Sequence, residues 1–157
     1  MTEKTVTRQS GQGQAFWMLG GLYEVLLSSD ETNGATTVMQ FTVPVGMAPP
    51  AHSHSGTETI YVVDGTLTYH IGGELIDAGP GSIFHIPPGT PEFFEPTSTA
   101  KLVVTYVPGG MDKFFAEVAE PAQRREIPPA PTSPPDVERL AKVGAKYGMT
   151  LEAPPGS

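Results

Sequence analysis

Eight short runs rich in β-branched and aromatic residues fill the chain between Leu22 and Val107, each bounded by turn-forming residues. The runs are LYEVLL, TTVMQFTV, TIYVV, TLTYHI, ELID, SIFHI, EFF and KLVVTYV. Many short strands at regular spacing are typical of a two-sheet sandwich or barrel. Asp64-Gly65 and Gly72-Gly73 stand between successive runs and tolerate the positive φ of two-residue hairpin turns. The pattern therefore predicts an all-β core over about residues 15–108 whose neighbouring strands pair antiparallel.

The apolar spacing becomes helical after this core. A short helix packed on the sheet is predicted before Pro121 from four residues at helical spacing, Met111, Phe114, Phe115 and Val118. A proline-rich stretch follows, and a second helix is predicted with Ser133 as its cap and Gly148 just past its end. We predict one domain over 1–157, with a helical and proline-rich extension over 109–157.

Composition excludes several classes of protein. The 157 residues contain no cysteine, which excludes a disulfide scaffold, a thiolate zinc site and a cysteine nucleophile. Nine Lys and Arg against 17 Asp and Glu give a net charge of −8, and neither cation occurs between Arg8 and Lys101. We therefore expect neither nucleic acid nor a membrane as a partner. The chain shows no apolar run of about 18 residues and no hydrophobic signal core, which predicts a cytoplasmic protein.

Two histidines and a glutamate stand at the spacing of metal ligands. His52 and His54 are two residues apart, so both imidazoles face the same side of an extended segment. Glu58 opens the next strand-like run at a parity that lets its carboxylate face the same point. Two imidazoles and one carboxylate form the facial triad of non-haem iron(II), and manganese, nickel, cobalt or zinc fits as well. We predict one divalent metal ion held by these three residues.

The residues around this trio resemble the cupin superfamily. The first cupin motif is matched without a gap by Gly46, His52-Ser53-His54, Glu58 and Gly65. The second motif is matched at Gly81, Pro87 and Gly89. Glu92 stands where the fourth ligand of the family, a histidine, belongs, and Pro96 stands at the closing asparagine position. Further segments resemble small bacterial quercetinase-like single-domain cupins: Phe16-Trp17, Leu19-Gly20, residues 79–82 and the tail from Phe114 to Gly148.

This resemblance implies a cupin-type double-stranded β-helix, a jelly-roll barrel with short C-terminal α-helices, forming a homodimer with a divalent metal in the barrel mouth. For quercetinase-like members it also implies dioxygenolytic ring opening of a flavonol. In that reaction Glu58 both holds the metal and takes the proton of the substrate hydroxyl. Since a fold does not determine a function, two alternatives stay open. They are a non-redox isomerase, cyclase or lyase, and a module that binds a small molecule without turnover.

Glu92 has three possible roles. Two carboxylates about 4 Å apart in an empty pocket, Glu58 and Glu92, would repel each other by about 4 kcal/mol at an effective dielectric constant of 20. A cation between them or a proton on one of them would relieve this repulsion. Glu92 is therefore predicted as a fourth metal ligand or as a catalytic acid or base alongside Glu58. The third alternative is that it faces solvent after Pro91.

The scarcity of cations also constrains the substrate. A pocket built without Lys or Arg cannot clamp a phosphate or a free carboxylate, which predicts a neutral aromatic or enolic substrate. An enol, phenol or flavonol-like oxygen fits, because a metal lowers its pKa while Glu58 receives the proton. Aromatic residues can line such a pocket or form the core. Phe94, two residues from Glu92, is the first candidate for substrate contact, followed by Phe84 and Trp17.

The remaining two histidines carry weaker signals. His70 alternates with the apolar residues of its run and is expected to face away from them. His85 lies between Phe84 and Ile86, and its role is left open.

Overall fold

The computed structural model describes residues 3–47 and 49–152 and consists mainly of β-strands. The strands are β1 (Ala15–Met18), β2 (Gly21–Leu27), β3 (Thr37–Val43), β4 (His52–His54), β5 (Thr57–Asp64), β6 (Leu67–Ile71), β7 (Glu74–Ala78), β8 (Ile83–Ile86), β9 (Glu92–Pro96), β10 (Ala100–Val107), β11 (Glu120–Pro121) and β12 (Met149–Leu151). The helices are α1 (Met111–Val118) and α2 (Val137–Lys146), and a 3-10 helix covers Asp30–Thr32. None of the helices in the described ranges is long and apolar enough to cross a membrane.

Within the described residues the strands form two sheets, and every pairing is antiparallel. The first has seven strands in the order β11-β1-β2-β3-β10-β5-β8, and the second has five in the order β12-β4-β9-β6-β7. The predicted all-β core and the two C-terminal helices are confirmed. The short strands β1, β4, β11 and β12 were not predicted as strands, because two to four residues carry almost no periodicity.

The core lies between the two sheets and follows from the two-residue period of the strands. Every second residue of β3 and β10 is buried, and Met39, Val43, Leu102 and Val104 have no exposed surface. The alternate residues of both strands face outward.

The hairpin predicted at Asp64-Gly65 is wrong. β5 pairs with β10 and β8 in the first sheet, whereas β6 pairs with β7 and β9 in the second, so the chain changes sheets here. Gly65 has a φ of +78°, and a Cβ on it would stand 2.2 Å from the Thr99 carbonyl oxygen. Asp64 and Gly65, which suit a hairpin turn, therefore form the connection between the two sheets. The hairpin predicted at Gly72-Gly73 does form, with Ile71 paired to Glu74.

Substitutions at Gly65 and Gly73 distinguish two effects on the free energy of unfolding. One is the strain of a positive φ, and the other is a steric clash between an added Cβ and nearby backbone. Gly73 has a φ of +87° with no atom within 4 Å of an added Cβ, so Gly73→Ala should destabilise by about 1–2 kcal/mol. Gly65→Ala adds a clash with backbone and should cost at least about 3 kcal/mol. Urea unfolding of both variants measures the difference. Equal losses would contradict the role assigned to the contact with Thr99.

The C-terminal segment covers one end of the barrel. Helix α1 has the predicted bounds, whereas α2 begins after Asp136, whose carboxylate accepts a hydrogen bond from the Arg139 amide at 3.1 Å. The cap predicted at Ser133 is therefore wrong, because Asp136 provides a capping carboxylate closer to the apolar run. Gly148, with a φ of +82°, ends this helical region and leads into β12.

Polar contacts fix the two helices in place. The buried Asp112 of α1 accepts hydrogen bonds from the Ser29 amide at 3.1 Å, the Ser29 hydroxyl at 3.2 Å and the Thr37 hydroxyl at 2.8 Å. Glu117 of α1 accepts hydrogen bonds from Lys146 Nζ and the Tyr147 hydroxyl, both at 2.8 Å. The helices are thus tied both to the first sheet and to each other.

Candidate metal centre

Two strands of the second sheet bring three potential ligands to one face. His52 on β4 stands directly opposite Glu92 on β9, so both side chains point to the same side of the sheet. His54 lies two residues along β4 and shares that side. His52 Nε2 lies 3.8 Å from Glu92 Oε1, and Glu92 is only 2% exposed. The structure therefore excludes the alternative in which Glu92 faces solvent.

The fourth group comes from the other sheet. After Ser55 and Gly56 the chain enters β5, where Glu58 pairs in register with Tyr106 and Ile86. Gly56 passes so close to β10 that an added Cβ would stand 2.5 Å from the Val107 carbonyl oxygen. Glu58 therefore belongs to the first sheet, and its carboxylate points across the barrel toward the three side chains of the second sheet. Its Oε2 lies 3.0 Å from His54 Nε2.

The four side chains fit a divalent cation. His52, His54, Glu58 and Glu92 each offer one ligand atom, and these atoms all lie within 4.8 Å of one another. A first-row divalent cation bonds such atoms at about 2.1 Å, so opposite ligands stand about 4.2 Å apart, which is the scale of this cluster. His54 Nε2, Glu58 Oε2 and Glu92 Oε2 are buried, and within the described structure they have no polar partner outside the cluster. Unpartnered buried polar atoms that converge in this way are what a bound cation would satisfy.

Burial and proximity set the charges of the cluster. Burial and the charge of Glu58 raise the pKa of Glu92 to about 11. Burial also acts to raise the pKa of Glu58, but the contact with His54 and the hydrogen bond with the protonated Glu92 outweigh it and lower that pKa. Burial lowers the pKa of His52, which keeps it in the neutral form that binds metals. Without a cation, the centre therefore holds one ionised and one protonated carboxylate.

A backbone carbonyl determines which nitrogen of His52 is free. His52 Nδ1 lies 3.0 Å from the Pro50 carbonyl oxygen, which can only accept a hydrogen bond. The neutral ring therefore carries its proton on Nδ1 and leaves the Nε2 lone pair directed at the cluster. A metal-ligating histidine is commonly oriented by such a contact.

The cluster forms the polar wall of an apolar cavity. No Lys or Arg lines this cavity among the described residues. Its apolar lining comes from the barrel and from the C-terminal segment: Met18, Leu19, Tyr23, Phe41, Pro49, Pro50, Phe94, Tyr106, Met111, Phe114, Phe115, Leu140, Met149 and Leu151. The methionines and leucines of this lining were not predicted from the sequence. No local pattern distinguishes them from ordinary core residues.

The predicted aromatic contacts lie in different places. Phe94 is on the cavity wall, whereas Phe84 packs against Tyr69 with ring centroids 5.1 Å apart and does not line the cavity. Trp17 also lies away from the cavity, under the segment that follows β11. Its Nε1 donates a hydrogen bond to the Glu126 carbonyl at 2.8 Å. Trp17 is thus buried by a segment remote in sequence.

The other two histidines face outward from the sheets. His85 Nδ1 lies 3.2 Å from the Thr59 hydroxyl on the exposed face of the first sheet. His70 stacks on Phe93 with ring centroids 3.9 Å apart and lies 3.4 Å from the Glu95 carboxylate. Neither belongs to the ligand cluster.

Residues 39–108 match the family model described as the cupin domain. The match runs from within β3 to the end of β10 and includes all four residues of the ligand cluster. The structure resembles an RmlC-like cupin from Shewanella frigidimarina, with a TM-score of 0.63 and 18% identity over 72% of this chain and 99% of that one. It also resembles the polyketide cyclase RemF from Streptomyces resistomycificus, with a TM-score of 0.61 and 19% identity over 80% of this chain and 90% of that one.

A curated relative of this chain is a quercetin 2,3-dioxygenase of Bacillus subtilis. The two sequences are 28% identical over 125 residues, which is 78% of this chain. The matched region spans only 37% of the length of that relative. The resemblance to quercetinase-like cupins expected from the motifs is thus confirmed at the level of sequence similarity.

Proposed function

We propose that this chain is a divalent-metal-dependent dioxygenase acting on a small enolic or phenolic substrate of the flavonol type. The observation that carries the proposal is the convergence of His52, His54, Glu58 and Glu92 on one wall of an apolar cavity. Iron(II), manganese, nickel or cobalt suits this set of two imidazoles and two carboxylates, and zinc fits as well. The similarity to a quercetin 2,3-dioxygenase supports this choice of chemistry.

The lining of the cavity supports an uncharged aromatic substrate. Phe94, Phe114 and Phe115 offer ring faces and edges, and no Lys or Arg is among the described lining residues. No cationic side chain among the described lining residues could pair with a substrate anion, so the metal would be its only positive partner. A substrate group that ionises only when it binds the metal is therefore favoured. Enols and phenols are such groups.

Glu58 is positioned to act as the base. It is 3% exposed, and although burial acts against it, the contacts with His54 and Glu92 hold the pKa of Glu58 below its usual range, so the carboxylate is ionised and can accept a proton. When bound, the metal supplies a Lewis acid that lowers the pKa of the substrate hydroxyl and favours transfer of its proton to Glu58. Glu92, next to His52, completes the ligand set.

Oxygen consumption tests this proposal. The protein is stripped with a chelator and reloaded separately with Fe²⁺, Mn²⁺, Ni²⁺, Co²⁺ or Zn²⁺, and oxygen uptake is followed with 3-hydroxyflavone and a panel of enols. We expect one O₂ consumed per substrate with at least one redox-capable metal and none with the stripped protein. The exposed His85 offers a control, since His85→Gln should keep the activity. No substrate-dependent uptake with any metal would contradict the proposal.

A non-redox reaction is the second candidate, and the protonated Glu92 favours it. A buried carboxylic acid beside a carboxylate can pass a proton to a substrate carbon or oxygen while Glu58 accepts one. Such an isomerase, cyclase or lyase would turn over under nitrogen, which the proposed dioxygenase would not.

A further inference from the structure

Strand β4, which carries both imidazoles, pairs with β12 along its whole length but with β9 at a single residue. β4 has three residues, and its register with β9 consists of the single pair His52 and Glu92. On the other side, β12 pairs with all of it: Met149 with His54, Thr150 with Ser53 and Leu151 with His52. The last described strand, about a hundred residues away in sequence, therefore provides most of the pairing that orients the ligand strand.

Hydrogen bonds just outside β4 extend this pairing at both ends. The Ser55 amide donates to the Gly148 carbonyl at 2.7 Å, and the Glu152 amide donates to the Ala51 carbonyl at 2.8 Å. A side-chain contact reinforces the middle of the strand, where the Ser53 hydroxyl donates to Glu152 Oε1 at 2.8 Å. Ser53 lies between the two histidines and points to the opposite face of the strand, so this contact fixes β4 without touching the ligand atoms.

The other face of β12 belongs to the cavity. Met149 and Leu151, the cross-strand partners of His54 and His52, both line it. A single short strand therefore orients the imidazoles and forms part of the wall that a substrate would contact.

We infer that β12 is a positioning element of the metal centre and that Glu152 is its positioning residue, acting through Ser53 on the strand that bears His52 and His54. Without this support, β4 would be held on its other side only by the pairing of His52 with Glu92 and by the Gly89 amide, which donates to the His54 carbonyl at 2.8 Å. A shift of so short a strand would misplace an imidazole. Groups that orient metal ligands typically contribute about 10–100-fold to metal affinity. The inference rests on the proposed metal centre and names residues that no ligand motif contains.

Three variants of β12 and the residue after it test this inference. Glu152→Ala removes the acceptor of the Ser53 hydroxyl, Glu152→Gln keeps an acceptor oxygen without the charge, and Thr150→Ala is a matched control because Thr150 is exposed. Mn²⁺ affinity is measured by the loss of the free-ion EPR signal on titration. We expect Glu152→Ala to weaken binding about tenfold, with Glu152→Gln and Thr150→Ala close to the unmodified protein.

Hydrogen exchange on the metal-free protein gives a second readout. We expect faster exchange in the peptide covering residues 51–56 for Glu152→Ala alone, with circular dichroism showing an intact fold. Ser53→Ala should reproduce both effects, since it removes the other partner of the same hydrogen bond. If the unmodified protein bound neither Mn²⁺ nor, in a parallel titration, Fe²⁺, Ni²⁺ or Co²⁺, the proposed function would fail, while the exchange data would still decide whether β12 holds β4.

Three results would overturn the inference. The first is an unchanged Mn²⁺ affinity in Glu152→Ala. The second is a loss of affinity in Glu152→Gln as large as in Glu152→Ala, which would assign the effect to the charge of Glu152 rather than to the hydrogen bond. The third is equal exchange of residues 51–56 in all variants.

Discussion

His54→Gln is expected to lower the affinity for Mn²⁺ at least about a hundredfold, which is about 2.7 kcal/mol. His54 is 8% exposed, and the only polar contact of its buried Nε2 in the described structure is Glu58 Oε2, at 3.0 Å. An amide oxygen is a weaker ligand of a first-row divalent cation than an imidazole nitrogen, and weakening a ligand should cost more than removing a group that only orients one. The loss should therefore exceed the tenfold effect expected at Glu152.

His85→Gln is the matched control for this variant, because His85 lies on the exposed face and contacts the Thr59 hydroxyl. Titration calorimetry with Mn²⁺ and metal content per chain after purification without a chelator measure both variants. We expect binding to be lost in His54→Gln and unchanged in His85→Gln. Similar metal content in the two variants would refute the ligand role of His54.

Glu92→Gln should stabilise the metal-free protein while weakening its metal binding. Burial and the charge of Glu58 raise the pKa of Glu92 to about 11, against an ordinary value of 4.5. Folding raises the pKa of this carboxyl group. As the pH rises above the pKa of the unfolded state, the folded state is therefore destabilised, because only the folded state keeps the proton. At pH 7 this linkage costs the metal-free fold about 3 kcal/mol.

Glutamine has nearly the same shape and does not titrate, so the substitution removes this cost. We expect the Tm of the metal-free protein to rise by about 6–12 °C at pH 7 and to depend less on pH between 5 and 8 than that of the unmodified chain. The metal-bound form should respond in the opposite direction, because a carboxylate ligand is replaced by a neutral amide. We expect Mn²⁺ affinity to fall at least about tenfold.

Glu95→Gln serves as the control for Glu92→Gln. Glu95 lies on the same strand, and its side chain is 52% exposed, so its substitution should change neither the Tm nor the affinity. Scanning calorimetry at three pH values, with and without Mn²⁺, measures both the rise in Tm of the metal-free protein and the smaller stabilisation by Mn²⁺. A Glu92→Gln variant that is less stable without metal would contradict the assigned charge state, and unchanged Mn²⁺ affinity would exclude Glu92 as a ligand.

The candidate site was predictable where it depends on local spacing. The two-residue period of an extended strand places His52 and His54 on one face whatever the rest of the chain does. The parity of Glu58 after a short turn is likewise a local property. Sequence position alone left Glu92 with three alternatives, since its direction depends on its pairing with His52 across two strands.

The least predictable features are contacts between segments far apart in sequence. Trp17 carries an aromatic side chain suited to a pocket, but a segment more than a hundred residues away covers it. Asp64-Gly65 has the chemistry of a hairpin, but the strands on either side join different sheets because each finds a longer partner elsewhere. Turn residues specify a local backbone bend and not the partner of the strand that follows it.

The amino-acid sequence by itself determined the β-rich core, the two C-terminal helices and the local grouping of His52, His54 and Glu58, since each depends on periods of two or 3.6 residues within one short segment. Tertiary structure alone decided that Glu92 turns inward, that the helices cover the cavity and that β12 supports the ligand strand. Strand order and register arise from the joint burial of apolar side chains across the whole chain, and no short segment contains that information.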